Sequence, residues 1–345
     1  GLPDAASLSG PSDGKRKPTS TNSRRPPRGA WSRGPSVMSR GASKISAMRL
    51  AAVNDSWVID SRKPSEAIGH TSDSIIVDGS TIRMLSASDI ADLPWGDLGA
   101  EIVVDSSGVY TDAQQAAGHL EGGAKKVIIT APAKNEDVTV VLGVNEKDYN
   151  PDRHNVISGS SCTTGCIATM AKVLHDNFKI EHAFMTTVHS YTGDQKLLDG
   201  WHRDRRRARS AAQNIVPTST GAAKSVGIVI PDLLGKLDGM ALRVPTDTVS
   251  MTDLVANLAT PVSVDDVNQA YKTAAETDLK GIMEYTEEEL VSSDFRGNPH
   301  SCIIDAKLTK LMGKKMVKVQ GWYDNEWGYS SRTADLCAYV ADQGI

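Results

Sequence analysis

An alternation of strand-like and helix-like segments over residues 50–160 restricts the fold more than any other feature of this 345-residue sequence. The segment AEIVVDSSG, residues 100–108, is a nearly continuous apolar run that ends in small residues, as strands buried on both faces of a parallel sheet do. TDAQQAAGHLEGG follows with a polar helix start and a double-glycine stop. KKVIITAP, TVVLGVN and HNVISGSS indicate further strands, and SIIVDGSTIRML indicates a hairpin. This order predicts an α/β fold with a Rossmann-like, doubly wound parallel sheet.

The pattern changes after residue 160, where long strand-like runs separate the helix candidates. The run MALRVPTDTVSMTDLVANL alternates apolar and polar residues along its length, which predicts one strand of an antiparallel sheet with one covered face. We therefore expect an α+β catalytic domain with a mostly antiparallel sheet. The helix candidates are residues 163–178, 221–234, 264–277 and 331–342.

Composition shifts divide the chain into four parts. Residues 1–48 are rich in Arg, Ser, Pro and Gly and hold two acids, Asp4 and Asp13, so we expect a disordered basic leader. Its composition resembles an organelle transit peptide. The predicted parts that follow are a partial dinucleotide-binding domain at 49–160, a catalytic domain at 161–327, and a C-terminal helix at 328–345 that returns to the cofactor domain.

The overall composition excludes several classes of protein. The formal net charge of −4 gives the molecule no general attraction to nucleic acid or to a membrane surface. The sequence has no run of 18 apolar residues, so no membrane span is predicted. Four cysteines are too few for a disulfide scaffold and indicate free thiols in a reducing compartment. We expect a cytoplasmic protein, or a plastid one if the leader is a genuine transit peptide.

The segment SGSSCTTGCIATM, residues 158–170, carries two cysteines where a strand-like run gives way to a helix-like one. At the first turn of that helix, Cys162 would face unpaired N–H groups and the positive end of the helix dipole, both of which favour a thiolate. Cys166 lies one turn further in, which indicates a buried filler. Zinc binding would need further ligands at short spacing, and a disulfide within one helical turn has poor geometry. Cys162 as nucleophile and Cys162 as a small core residue both remain open on the residues alone.

Three polar groups elsewhere could support a nucleophilic cysteine. His189 ends a strand-like run and precedes a polar loop, although a histidine there can also be purely structural. PTSTGAAKSVG places Thr220 and Gly221 at a helix start, which is a ready anion site. Arg243 offers a planar cationic fork. This combination suggests acyl chemistry on a phosphorylated substrate.

The motifs SCTTGC, TTVHSYTGDQ, RRAR, PTSTGAAK, ALRVPT and GWYDNEWGYSSR follow one another in this order. From about Val53 to the C-terminus, the chain closely resembles the phosphorylating glyceraldehyde-3-phosphate dehydrogenase family. The resemblance implies NAD(P)-dependent oxidation and phosphorylation of glyceraldehyde 3-phosphate to 1,3-bisphosphoglycerate. It also implies a homotetramer, and a place in glycolysis or, for plastid members, in the Calvin cycle.

The mechanism that the resemblance implies assigns two catalytic residues. Cys162 attacks the aldehyde carbon, and His189 takes the hydroxyl proton and steadies the oxyanion. Hydride leaves for the nicotinamide, and inorganic phosphate then cleaves the thioester on Cys162. No metal is implied.

The resemblance also implies binding residues. The group that holds the C3 phosphate of the substrate corresponds to Thr192, Asp194 and Arg243. The inorganic phosphate site corresponds to Ser161, Thr163, Thr220 and Gly221, with Arg243 reaching both. The cofactor site corresponds to Asp55 at the adenosine ribose, Ser107 and Gly108 in a turn, Thr130 nearby, and Asn325 at the carboxamide. Asp55 favours NAD, and NADP is the alternative.

The sequence departs from the family in several places, which include a short stretch between Asp55 and Ser74. Residues 1–54 contain no G-x-G-x-x-G turn, so the cofactor sheet is predicted to be incomplete, with its first strand, turn and helix missing or replaced. Gly165 and Gly193 each stand where the family has Asn, which loosens both turns. An alternative function follows from these losses: a catalytically impaired relative that binds RNA through the arginine-rich segment HRDRRRAR.

Overall fold

The computed structural model describes residues 50–53, 69–77 and 80–345. The predicted leader at 1–48, the predicted loss of the glycine-rich turn and the predicted cofactor ligand Asp55 lie outside the described residues.

The described residues form strands and helices in an alternating order. The strands are β1 (Leu50–Val53), β2 (Gly69–His70), β3 (Ser74–Val77), β4 (Ser80–Arg83), β5 (Ile102–Asp105), β6 (Lys126–Ile129), β7 (Val138–Thr139), β8 (Val156–Ser158), β9 (Ile180–Ser190), β10 (Val216–Thr218), β11 (Leu237–Val244), β12 (Ser250–Leu258), β13 (Met283–Thr286), β14 (Cys302–Asp305), β15 (Lys310–Met312) and β16 (Met316–Tyr323). The helices are α1 (Trp95–Leu98), α2 (Ala113–Ala116), α3 (Gly118–Glu121), α4 (Cys162–Phe178), α5 (Ala222–Val229), α6 (Val264–Glu276) and α7 (Trp327–Gln343).

The first sheet is parallel and buried on both faces. Its strand order is β1-β5-β6-β8-β7, and every neighbouring pair runs parallel. Since successive side chains of a strand point to opposite faces, Ile102 packs in a cluster with Leu336 of α7, whereas Val103 packs with Trp95 of α1. The predicted doubly wound α/β class is confirmed, and α7 covers one face of this sheet.

The second sheet is mixed, with more antiparallel than parallel pairs. Its order is β10-β11-β9-β12-β16-β14-β13, with β15 paired to β16. Only β9 with β11 and β13 with β14 run parallel among its described pairs. Helices α4, α5 and α6 contribute to the large apolar cluster on one face, which includes Ile167, Val226 and Val267. The predicted α+β architecture of this half is therefore confirmed.

One predicted strand of the second sheet is wrong. MALRVPTDTVSMTDLVANL is two strands, β11 and β12, and β11 runs parallel to β9 rather than antiparallel. Pro245 directly follows β11 and cannot donate a ladder hydrogen bond, and Val249 has a φ of 70° just before β12. Buried side chains fall at odd positions in β11, as at Leu237 and Ala241, and at even positions in β12, as at Thr252 and Leu254, so the phase of the alternation changes across the break.

Smaller differences concern the first sheet. The predicted helix at 111–123 is two short helices, α2 and α3. The predicted strand TVVLGVN, residues 139–145, overlaps β7 at Thr139 alone. The predicted hairpin is confirmed as an antiparallel pairing of β3 and β4, although its turn at residues 78–79 is outside the described part. No described helix combines the length and the apolar character needed to cross a membrane.

Gly321 of β16 gives a test of the packing between α4 and the second sheet. A Cβ at this position would lie 2.7 Å from the Cys302 sulfur and 2.8 Å from the Met170 sulfur, both in the core. Gly321→Ala should therefore lower the free energy of unfolding by about 1–3 kcal/mol in urea denaturation. Gly193→Ala, where a Cβ meets nothing within 4 Å, should stay within about 0.5 kcal/mol of wild type. Equal stability of the two variants would show that the core yields at Gly321.

Candidate active site

Several candidate residues lie at one end of the strands of the second sheet, and we call this end the edge of the sheet. In the parallel pairing of β9 and β11, His189 lies opposite Arg243, and in the antiparallel pairing of β12 and β16, Ser250 lies opposite Tyr323. These positions are at or next to the strand ends, so the four side chains belong to the same end of the sheet. Asn325 lies two residues past the end of β16, and its side chain contacts Ser250.

Helix α4 brings Cys162 to this edge. The chain leaves the parallel sheet at the end of β8, and Ser161 caps the helix by accepting a hydrogen bond from the Thr164 N–H at 3.1 Å. Ser160 adopts a left-handed φ of 57° before the cap. Cys162 is therefore the first helical residue, half-buried, whereas Cys166 is fully buried one turn later.

The Cys162 sulfur lies 3.6 Å from Nε2 of His189. On the other side of the ring, Nδ1 lies 2.8 Å from the Ser190 carbonyl oxygen and 2.9 Å from Nη1 of Arg243. The carbonyl can only accept a hydrogen bond and the guanidinium can only donate one, so the two neighbours favour opposite tautomers of the imidazole. Nε2 accepts the thiol proton when Nδ1–H donates to Ser190.

Burial controls the charges of this pair. It lowers the pKa of His189 to about 3, with the Arg243 charge acting in the same direction. Burial also raises the pKa of Cys162, although hydrogen bonding to Thr163 and the Arg243 charge act against it. The sequence expectation of a helix-stabilised thiolate is thus opposed by desolvation. The pair is best described as a neutral thiol facing a neutral imidazole.

Tyr323 contacts residues of both α4 and β9 within the site. Its hydroxyl group lies 2.9 Å from Oγ1 of Thr163 and 2.8 Å from Oγ1 of Thr187, and its ring makes an edge contact with the His189 ring at a centroid distance of 5.9 Å. Sequence reasoning missed this residue, although it stands two positions before Asn325 in a quoted motif. A buried tyrosine at a strand end gives no sign of its partners.

The amide of Asn325 has a fixed orientation. Its Oδ1 accepts hydrogen bonds from the hydroxyl groups of Ser190 and Ser250, each at 2.9 Å. Nδ2 is therefore the side of the amide left for a ligand. Neither serine was singled out from the sequence. Ser190 lies in the quoted motif TTVHSYTGDQ, directly after His189, whereas Ser250 lies in no quoted motif.

The structure places the predicted C3-phosphate residues beside Arg243. Nη1 of Arg243 donates to Oγ1 of Thr192 at 3.4 Å, and its buried Nε has no hydrogen-bond partner among the described residues. Asp194 forms ion pairs with Arg207 and, at 3.3 Å, with His202. These ion pairs depress the pKa of Asp194 more than its partial burial raises it.

The predicted inorganic-phosphate residues fall into two groups. Thr220 accepts the Ala222 N–H at 3.2 Å, and Gly221 caps α5, so the N–H groups of a helix start lie here. The hydroxyl groups of Ser161 and Thr163 are instead engaged with Thr164 and Tyr323. Either oxygen of each pair can be the donor, so the hydroxyl groups of Ser161 and Thr163 can donate to an anion when they accept in these internal hydrogen bonds.

The carboxyl edge of the parallel sheet suits a dinucleotide. Ser107 and Gly108 follow β5, and Gly108 is an exposed residue with a φ of 67° that lets backbone approach a ligand closely. Thr130 follows β6, and its N–H and hydroxyl groups donate to the Asp105 carbonyl at 3.0 and 3.2 Å. Since α4 follows β8 at the same edge, the candidate nucleophile and the candidate cofactor residues share one side of this sheet.

Gly165 leaves space behind the nucleophile. A Cβ there would approach Ser301 no closer than 3.7 Å, which is ordinary contact. Gly165, Ser301, Tyr329 and Arg332 line a cavity of about 30 Å³ that also reaches Cys162. A side chain at this position, such as the Asn that the resemblance implies, would therefore meet no close contact at its Cβ.

The cysteines and acidic side chains bear on two other kinds of site considered above, a disulfide and a metal site. All four cysteines are free thiols. Cys166 contacts the Met170 sulfur and the Gly321 carbonyl, each at 3.7 Å, as a packed core residue would. Within the described residues, no group of three or more His, Cys, Asp or Glu side chains is arranged to hold a metal.

Two family models match most of the described chain. The model described as "Glyceraldehyde 3-phosphate dehydrogenase, C-terminal domain" matches residues 161–325, and the one described as "NAD binding domain" of the same enzyme matches residues 42–113. This chain belongs to the glyceraldehyde-3-phosphate dehydrogenase family. Family membership establishes an NAD-dependent dehydrogenase fold and cofactor for the chain.

Curated relatives agree with that assignment. The glyceraldehyde-3-phosphate dehydrogenase of Streptomyces coelicolor is 56% identical over 80% of this chain and 82% of its own length. The enzyme of Priestia megaterium is 58% identical over 79% and 81%, and glyceraldehyde-3-phosphate dehydrogenase 1 of Bacillus subtilis is 57% identical over the same shares.

The pH dependence of Cys162 alkylation tests the protonation states. With a His189 pKa of about 3 and a raised Cys162 pKa, the iodoacetamide rate should rise with pH in a single step, without a shoulder between pH 5 and 7. Cys162→Ser identifies the labelled thiol, since the other three cysteines are buried. A shoulder in this range that His189→Asn removes would contradict the neutral pair.

Proposed function

We propose that this chain catalyses the reversible NAD-dependent oxidation and phosphorylation of glyceraldehyde 3-phosphate to 1,3-bisphosphoglycerate through a thioester on Cys162. The observation that carries the proposal is the 3.6 Å contact between the Cys162 sulfur and Nε2 of His189 at the start of α4. A nucleophile and a base within reach of each other are the minimum that covalent acyl chemistry requires.

The first step is attack of the Cys162 sulfur on the aldehyde carbon. The thiol proton passes to Nε2 of His189, and the resulting imidazolium then protonates the developing alkoxide to give a hemithioacetal. The Cys162 N–H, unpaired at the helix start, adds a donor for the oxygen. His189 next removes the hydroxyl proton as the carbonyl of the thioester forms. The chemistry that bound NAD supplies is acceptance of the hydride from this carbon.

Arg243 links substrate binding to the tautomer of His189. While its Nη1 lies 2.9 Å from Nδ1, it favours an imidazole that carries its proton on Nε2. A substrate phosphate that draws the guanidinium away leaves Nδ1–H free to donate to the Ser190 carbonyl. Nε2 then becomes the acceptor that the attack requires.

We assign the two phosphate groups to neighbouring residues. Thr192, Asp194 and Arg243 would hold the C3 phosphate, and the unpartnered Nε of Arg243 supports this role. Inorganic phosphate would lie at Thr220 and Gly221, where α5 begins, and would also contact Ser161 and Thr163. From there it attacks the thioester, and Cys162 leaves as a thiolate that His189 reprotonates.

We assign the cofactor to the carboxyl edge of the parallel sheet. Ser107, Gly108 and Thr130 line this edge, and Nδ2 of Asn325 would donate to the carboxamide. Asp55 would hold the adenosine ribose, which favours NAD over NADP because a carboxylate repels a 2′-phosphate. The reaction belongs to glycolysis, and a role in the Calvin cycle with NADP is the alternative.

We further propose a homotetramer. The outer face of the second sheet exposes Phe184 by 69% and Met240 by 41%, and the loop at 196–202 exposes Leu197, Leu198 and Trp201 by 71–86%. Apolar side chains of this size are usually covered by a partner, and a further copy of the chain provides the same surface. The free thiols favour a cytoplasmic location, with a plastid as the alternative.

The RNA-binding alternative gains no support from the arginine-rich segment. Arg207 bonds to Asp194 and donates to the Thr218 hydroxyl at 2.8 Å, and Arg209 lies 3.2 Å from Asp199. Arg207 and Arg209 are thus engaged with acids of their own loop, whereas Arg203, Arg205 and Arg206 of the segment are exposed.

Steady-state kinetics test the proposed function. His189→Asn removes the base and should lower kcat for glyceraldehyde 3-phosphate oxidation by about 10²–10⁴-fold, with the KM for NAD little changed. His182→Asn is a matched control, because His182 lies on the same strand but is exposed and bonds to Asn257. Retention of wild-type kcat by His189→Asn, or by Cys162→Ser, would contradict the proposal.

A further inference from the structure

A chain of buried polar groups lies beneath the candidate cofactor turn and has no part in the steps above. It consists of Trp95 of α1, His119 of α3 and Asp105 at the end of β5, which are only 2%, 0% and 3% exposed. Nε1 of Trp95 lies 3.1 Å from Nδ1 of His119, and Nε2 of His119 lies 3.6 Å from Oδ2 of Asp105. The three residues connect three elements of the parallel-sheet layer.

The chemistry of these groups determines which atom donates and which accepts in each contact. An indole N–H can only donate, so Nδ1 of His119 must accept, and the proton of the neutral ring lies on Nε2. Nε2–H then faces Oδ2 of Asp105 at a distance longer than an ordinary hydrogen bond. Neither of these two buried atoms has a hydrogen-bond partner among the described residues, so each is the other's electrostatic partner.

The other carboxylate oxygen of Asp105 holds the cofactor turn. Oδ1 accepts the Ser107 N–H at 2.9 Å and the Ser107 hydroxyl at 2.7 Å. The Ser107 oxygen in turn accepts the Val109 N–H at 3.1 Å. The single hydroxyl proton of Ser107 is thus committed inward, which leaves a lone pair and the exposed backbone of Gly108 for a ligand.

Stability alone does not account for this buried series of polar contacts. A buried carboxylate is costly even when it is paired, and apolar side chains of similar volume are often equally stable or more so. Polar partners do, however, restrict how the carboxylate can rotate. With Oδ2 fixed toward His119, Oδ1 stays directed at Ser107, and the turn keeps one conformation.

We propose that His119, oriented by Trp95, is a positioning residue for the cofactor. Acting through Asp105, it holds the turn at Ser107 and Gly108 in the conformation that NAD binds. The inference rests on the proposed placement of NAD at this turn.

The test compares His119→Phe with wild type in an NAD titration by calorimetry, without aldehyde. Loss of the partner for Asp105 should raise the Kd for NAD by about tenfold. In separate assays at saturating NAD, kcat should stay within about twofold of wild type, because Cys162 and His189 are untouched. His119→Gln, whose amide can both accept from Trp95 and donate to Asp105, should restore most of the affinity.

His175→Phe is the matched control. Nδ1 of His175 accepts the Ile180 N–H at 3.2 Å and Nε2 lies 3.6 Å from Asp232, but this arrangement is at the far end of α4 from Cys162. Both Phe variants should lower the thermal midpoint, and only the one at His119 should weaken NAD binding. Trp95→Phe, which removes the donor to His119, provides a second variant if His119→Phe does not fold.

The outcomes separate this inference from the proposed function. NAD binding by His119→Phe or Trp95→Phe as tight as wild type, or equal weakening by His175→Phe, would overturn the positioning role. A wild-type chain that binds NAD but does not oxidise glyceraldehyde 3-phosphate would overturn the proposed function and leave the positioning role standing.

Discussion

The contact between the Cys162 sulfur and the His189 ring depends on where two sheets meet. Helix α4 starts at the carboxyl end of β8 in the parallel sheet, and its far side packs on the mixed sheet that carries His189. The Ser161 cap fixes the first turn of the helix, and the register of β9 with β11 places Arg243 beside the imidazole. A shift of either element by one residue would turn one partner away.

The same geometry explains why the site can be neutral at rest and still reactive. Desolvation disfavours both the thiolate and the imidazolium, so neither charge forms before it is needed. In the proposed mechanism, the Arg243 guanidinium and the start of α4 would supply positive potential where the alkoxide forms and the phosphates bind. Hydrogen bonds from Ser190 and Ser250 hold Asn325 on the opposite side, so the site is organised by groups that do not react.

Local features could be predicted from the sequence, and tertiary ones could not. Helix α4 was expected over 163–178 and spans Cys162–Phe178, because its polar start and long apolar face are both local. The break between β11 and β12 was missed, although the buried positions change from odd to even numbers across it. The partners of Tyr323, Thr163 on α4 and Thr187 on β9, lie more than 130 residues away from it in the sequence. The pKa of Cys162 was misjudged because burial is decided by residues that pack around the helix, not by the helix itself.

Mass spectrometry of the acyl-enzyme tests the central claim most directly. Incubation with glyceraldehyde 3-phosphate and NAD in the absence of inorganic phosphate, followed by an acid quench, should leave one phosphoglyceroyl group per chain. Peptide mapping should place it on Cys162, and added phosphate should remove it. A turnover-competent chain that carries no such adduct, or carries it on another residue, would contradict covalent catalysis by this sulfur.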